Sequence, residues 1–219
     1  MTDGLGFTTF VDANVLVKPL TRTLLAIAGE ASGYRLAWSA HVEQEADRHM
    51  RSGQTPVSEV RALMGRELSK TGQGAQAFAD TEPGDRQVLA DAVAAGALFI
   101  VTEDVDDFSE RDLGSVDIAA VNPDLFMSVK KTTGGYREAL EFVSCLSKNP
   151  HLTPTEFHVR LGRAHPLTVE AHRASFPAAT PMAATHNPPA VRYRGNRCLN
   201  CLQTGPADGG LCADCTSTR

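Results

Sequence analysis

No stretch of this chain reaches 18 consecutive apolar residues, so no membrane-spanning helix is expected. The N-terminal MTDGLGFTTFVDANVLV lacks a basic n-region and its apolar run is broken by Asp12 and Asn14. This argues against a secretory signal and for a cytoplasmic protein. Cysteine is almost missing from the first 197 residues, where Cys145 stands alone, read as a buried small hydrophobe; a disulfide scaffold is excluded. With 42% hydrophobic and 21% charged residues, 219 positions suffice for one core of ordinary size plus a small appendage, which rules out collagen and low-complexity disorder.

The net charge of −5 hides an asymmetry. Residues 1–150 carry 14 Lys and Arg against 22 Asp and Glu, a balance of −8, whereas residues 151–219 carry 7 against 4, with five of the seven histidines. An acidic half that meets nucleic acid needs divalent cations or local basic groups to offset repulsion, and the tail is the electrostatic handle.

Periodicity gives alternating strands and helices. Phe7 to Val11, Arg35 to Trp38, Ala97 to Val101 and Asp117 to Val121 read as short strands; Leu20 to Ala31, Ser39 to His49, Thr55 to Lys70 and Asp85 to Ala95 read as intervening helices. That order implies parallel pairing. Asn122-Pro123 reads as a break and Tyr136 to Ser147 as an amphipathic helix. Thr153-Pro154-Thr155-Glu156 is a capping box opening a helix to Arg163, and Pro166 starts another to Arg173. His158, His165 and His172 recur every seven residues, as packed histidines or, less expectedly, a ligand stripe.

Carboxylates fall where strands end or helices begin: Asp12, Asp85, Asp104 and Asp107, with Glu43 and Glu45 on the helix after the second strand. In open α/β sheets that edge binds ligands, and carboxylates gathered there repel unless a divalent cation sits among them. Hard oxygen donors suit Mg²⁺ or Mn²⁺, and the chemistry implied is phosphodiester hydrolysis by a water that the cation activates. Singly, each acid reads as a cap or turn former, and Asp106 and Asp112 read as solvated loop acids. Asp91 falls on another face of its helix.

FVDANVLV, WSAHVEQEADRHM, DRQVLADAVAAGALFIVTEDVDDF and NPDLFM together resemble PIN-domain nucleases, in the branch of the VapC-type toxins, over roughly residues 7–130. TPTEFHVRLGRAHP resembles a helical extension some of them carry. The resemblance implies a metal-dependent endoribonuclease with Asp12, Asp85 and Asp107 as core ligands and Glu45 completing an acidic quartet. Asp104, often Asn in the family pattern, is an extra ligand or a polar neighbour; Asn14 orients Asp12 and Thr102 shapes the site. RNA is the implied substrate and a small antitoxin the implied partner, with a homodimer allowed. An RNA-processing nuclease or a non-catalytic RNA-binding scaffold are the alternatives.

Cys198-Leu-Asn-Cys201, ten residues, then Cys212-Ala-Asp-Cys215 has the two-knuckle spacing of a structural Cys₄ zinc site. Gly205-Pro206 and Gly209-Gly210 let the chain between them reverse. Arg192, Arg194 and Arg197, with Tyr193 interleaved, suit phosphate contact and base stacking. The expected architecture is a three-layer α/β PIN-like domain with a parallel central sheet (1–130), a helical extension (131–176), a proline-rich linker (177–197) and a small zinc ribbon or knuckle (198–219) moving as a tethered unit.

Overall fold

The β-branched and aromatic run FTTFV forms an extended strand that Asp12 ends by capping the helix after it. In a computed structural model, residues 6–177, 179, 191–205, 207 and 209–217 are described. The N-terminal five residues, most of the expected linker (178 and 180–190), Asp208, Pro206 with its expected turn, and residues 218–219 lie outside them. The chain runs through β1 (Phe7–Val11), α1 (Ala13–Leu16), α2 (Pro19–Ala31), β2 (Tyr34–Ala37), α3 (Ala40–His49) and α4 (Val57–Leu63). It continues through α5 (Arg86–Ala94), β3 (Ala97–Val101), α6 (Glu110–Ser115), β4 (Ala119–Val121), α7 (Pro123–Lys130) and α8 (Thr133–Leu146). Then come α9 (Pro154–Leu161), α10 (Pro166–Ala171), β5 (Tyr193–Arg194) and α11 (Ala213–Ser217).

The sheet order is β2-β1-β3-β4-β5, with the first four strands parallel and β5 antiparallel to β4. Thr8 to Val11 and all of β4 are buried without alternation, so the sheet is covered on both faces. Phe7, Tyr34, Phe99 and Phe126 interlock with ring centroids 5.1 to 6.1 Å apart. Tyr34, Phe99 and Phe126 are buried, and each contributes about 2 kcal/mol of transfer energy. Because β1 leads first to β2 on one side and later to β3 on the other, the topological switch lies between β1 and β3. The crevice at their C-terminal ends is where this architecture binds ligands.

The core continues past residue 130. α8 packs on α2 and α10 on α7, and Tyr136, Ala139, Leu140 and Val169 belong to the same buried cluster as the strands. His158 and His172 flank Tyr136: the Tyr136 hydroxyl and His158 Nδ1 are 2.9 Å apart, and His172 stacks on the phenol ring at 4.2 Å. His165 instead meets the Thr21 hydroxyl at 2.9 Å. The seven-residue recurrence therefore makes packed histidines.

Several local expectations change. The helix expected to reach Lys70 stops at Leu63, because Gly65 takes a left-handed φ of 60° and the chain turns back so that Ser69 donates to the Trp38 carbonyl. Asn122-Pro123 starts a helix rather than breaking one: the Asn122 side chain caps α7 and Pro123 occupies its first position. Cys145 is exposed, on the outer face of α8. Asp112 is buried and clamps a loop, accepting from the Asp80 and Thr81 amides at 3.0 and 2.8 Å.

The largest change is at the end of the expected linker. Tyr193 and Arg194 add a strand to β4, and the Asn122 amide donates to the Arg192 carbonyl at 2.9 Å. A Cβ at Gly195, whose φ is 129°, would stand 2.9 Å from Ala119 Cα, so close docking depends on that glycine. Leu199 is fully buried in the common core. The Cys module is thus fixed to the sheet edge, not a tethered unit.

Candidate functional site

Parallel pairing carries the ends of β1 and β3 to one edge, and there the Asp12 carboxylate is held from two sides. One oxygen accepts from the Ala13 amide at 2.6 Å and the other from the Thr102 hydroxyl at 2.8 Å. Asn14 donates to Thr102 Oγ1 and to an Asp104 carboxylate oxygen, both at 3.0 Å, and its own oxygen accepts the Glu103 amide. Asn14 therefore ties the loop after β3 to the start of α1.

Asp85 heads α5 yet makes no side-chain cap, so its carboxylate is not spent on the helix. Burial, then Asp12, Asp107, Glu45 and Asp104, push it from 3.8 to about 7. Burial pushes Asp12 up to about 6 against the Thr102 and Ala13 hydrogen bonds, with Glu45 and Asp104 adding repulsion. Asp107 is raised by desolvation and then by Asp104, Glu82 and Asp106, with Arg194 opposing. Mutual repulsion among Asp12, Glu45, Asp85, Asp104 and Asp107 means that they share one neighbourhood. Glu43 does not belong to it: it is buried, accepting from Trp38 Nε1 at 3.0 Å and from Arg61 Nε at 2.8 Å. Asp91, also buried, anchors the loop amide of Gly72 at 2.7 Å.

One contributor escaped sequence reasoning and a second was named there for a different role, RNA contact. Glu82, whose amide donates to the Asp107 carbonyl at 2.9 Å, adds charge beside Asp107; its nearness to Asp85 in TEPGD was the available signal. Arg194 is the other. Its guanidinium donates to the Asp106 and Phe108 carbonyls at 2.9 and 3.0 Å and to an Asp106 carboxylate oxygen at 2.9 Å. It thereby clamps the turn that carries Asp107.

The other two arginines named for RNA contact are also engaged within the chain. Arg197 donates to the Asp117 and Leu202 carbonyls, and Arg192 lies 3.7 Å from Asp124, whose carboxylate also receives the Leu167 and Thr168 amides.

The sulfur atoms of Cys198, Cys201, Cys212 and Cys215 lie within 4.8 Å of one another, a group able to hold a metal such as zinc. The Cys201–Cys212 separation of 3.7 Å matches the roughly 3.8 Å edge of a tetrahedron with Zn–S bonds near 2.3 Å. Burial opposes ionisation of Cys198, but amides of Cys212, Cys201 and Asn200 outweigh it and bring the thiol down to about 6. Among the described residues no carboxylate trio is drawn together that tightly. A hard cation at the acidic cluster would keep waters between itself and some of these oxygens, as Mg²⁺ does.

Comparison with protein-family models, with curated proteins and with solved structures finds no match to this chain. No described helix is long and apolar enough to cross a membrane.

Proposed function

We propose that this protein is a divalent-cation-dependent endoribonuclease of the PIN-domain kind, acting at the C-terminal edge between β1 and β3. The observation that carries this reading is Asp85: a helix-leading acid that caps nothing and is raised to about 7 first by its partial burial and then by four other acids around it. A cluster held against its own repulsion at a topological switch point fits a site that concentrates positive charge. Mg²⁺ or Mn²⁺ bound there would supply Lewis-acid stabilisation of a phosphate under attack.

The chain's own part follows from the geometry. Asp12, locked by Thr102 and the Ala13 amide, offers a ligand with little freedom left to lose. Asp85 and Asp107 complete the oxygen set from α5 and from the turn after β3. Asn14 keeps Asp104 and Asp12 at fixed separation through Thr102. Glu45, 42% exposed at the rim, is the carboxylate best disposed to accept a proton from attacking water. Zinc in the tail would be structural, because four thiolates close the coordination sphere and leave no position for water.

The resemblance favours the toxin of a toxin–antitoxin pair. Rigid docking of the Cys₄ module on the sheet beside the Asp107 turn favours instead an RNA-processing enzyme, whose module helps hold a particular RNA. Growth arrest on expression, relieved by a small co-expressed partner, separates these two. The test of the activity itself is cleavage of RNA with Mg²⁺ or Mn²⁺ present. Asp12→Asn should lower kcat at least ~100-fold with the fold intact. Full cleavage in EDTA, or by Asp12→Asn, would overturn the proposal and leave a binding scaffold.

A further inference from the structure

In a chain whose first 150 residues carry excess negative charge, one cavity of about 480 Å³ has no acidic residue among those lining it. It lies between the α1–α2 junction, the loop from α3 to α4, and the turn from α9 to α10. Lys18, His49, Arg51, Arg160 and His165 line it, over an apolar floor that includes Leu20 and Leu161. Arg51 and Arg160 are exposed, and neither guanidinium forms an ion pair within 4.0 Å among the described residues. The acid nearest Arg160 along α9 is Glu156, which feels the Arg160 charge but whose carboxylate hydrogen-bonds the Thr153 amide and hydroxyl instead.

The cavity opens beside the start of α2, a 13-residue helix whose positive dipole end lies there. His165 is buried there, its Nε2 on the Thr21 hydroxyl and its Nδ1 without a partner among the described residues. Lys18 marks the boundary with the acidic centre: its ammonium grips Glu103 at 2.7 Å, and the Glu103 amide is held by Asn14. Five residues lie between Asp12 and Lys18, four of them forming the single turn of α1, and on α3 Glu45 of the acidic centre stands one helical turn from His49 of the cavity. A strand with one phosphate at the carboxylates would carry a neighbouring nucleotide into this cavity.

We propose that this cavity is a substrate subsite, binding a phosphate of the RNA strand next to the scissile one through Arg51 and Arg160, with its sugar or base on the Leu20 and Leu161 floor. The subsite rests on the ribonuclease reading and gives the extension a function: the end of α9 and the turn before α10 supply one wall of the cavity. A volume of this size fits a nucleotide and exceeds the need of a bare ion.

The test uses the full chain with Asp12→Asn, which binds without cutting, and a short fluorescent single-stranded RNA. Adding Arg51→Gln and Arg160→Gln should weaken binding about tenfold and flatten the salt dependence by about 0.7 in log–log slope, one phosphate's worth. Arg51→Lys should retain most of the affinity. In the active protein the same pair of substitutions should raise KM more than it lowers kcat. Unchanged affinity and slope beside normal cleavage would overturn the subsite and leave the nuclease reading standing. Lost affinity in a protein that never cuts RNA would sustain the subsite and sink the nuclease reading. A nucleoside monophosphate that displaces the RNA at equal concentration would also overturn it, since the cavity would then hold a free nucleotide independently of the strand.

Discussion

Replacing Asp85 with Asn should make this protein more stable at neutral pH without divalent cations. In the unfolded chain the carboxyl titrates near 3.8; in the fold, burial and then Asp12, Asp107, Glu45 and Asp104 raise it to about 7. Between about pH 4 and 7 the native state therefore holds a proton that the unfolded chain has released, so stability falls as pH climbs through that window. At face value such a rise is worth about 4 kcal/mol, but Asp85 is only half-buried, and solvent screening reduces it to about 1–2 kcal/mol. Asn keeps the shape and drops the charge. Asp85→Asn should match the wild type near pH 4 and melt about 3–6 °C higher at pH 8 in EDTA. Mn²⁺ should raise the wild-type melting temperature more than the variant's, since binding to the native state is what stabilises. Thermal melts across pH with and without the ion decide the matter. If Asp85→Asn gains nothing at pH 8 while Asp85→Ala loses about 1 kcal/mol at every pH, the residue is a helix cap and the argument from repulsion is wrong.

Arg194→Ala should lower kcat about 10- to 100-fold while KM moves little, because it releases the turn carrying Asp107 without touching substrate. Arg194→Lys should not rescue it, as a compact ammonium lacks the planar fork that reaches the two carbonyls from one nitrogen and the carboxylate from the other; equal loss of kcat and overall stability would mark a purely structural role. Elemental analysis should find one zinc per chain. Cys198→Ser with Cys212→Ser should abolish that zinc and lower the melting temperature of the whole protein, since β5 and Leu199 belong to the main core, whereas melting confined to the tail would contradict the docking.

What could be read from sequence was whatever local chemistry determines. The strands at Phe7 to Val11 and Ala97 to Val101, the cap at Ser39 and the box at Thr153 follow from side-chain type and spacing alone. The gathering of distant acids at one edge followed from parallel topology. What escaped depends on partners remote in sequence. The register counted from Trp38 favours Glu45 over Glu43, but what occupies Glu43 shows only once Trp38 and Arg61 are seen to take it. Asn122-Pro123 is a turn signal and a helix start in equal measure, and Asp124 at the next position tips it. Tyr193-Arg194 is too short to announce a strand, and its arginine looks like an RNA ligand until the carbonyls of Asp106 and Phe108 come into view.

That last contact changes what the tail is for. An exposed β4 edge beside the site would be an open template for pairing, and β5 closes it. A two-residue strand contributes little by itself, so its position depends on what is attached: Leu199 in the core, Gly195 against Ala119, and a Cys₄ module that a metal would stiffen. The same strand delivers Arg194 to the turn of Asp107. The tail chelate and the acidic edge are then mechanically joined through a single guanidinium. Ordering of the tail contributes to holding Asp107 against the repulsion of Asp104 and Glu82, and a chain that lost its tail metal would loosen the acidic centre without any change in the carboxylates themselves.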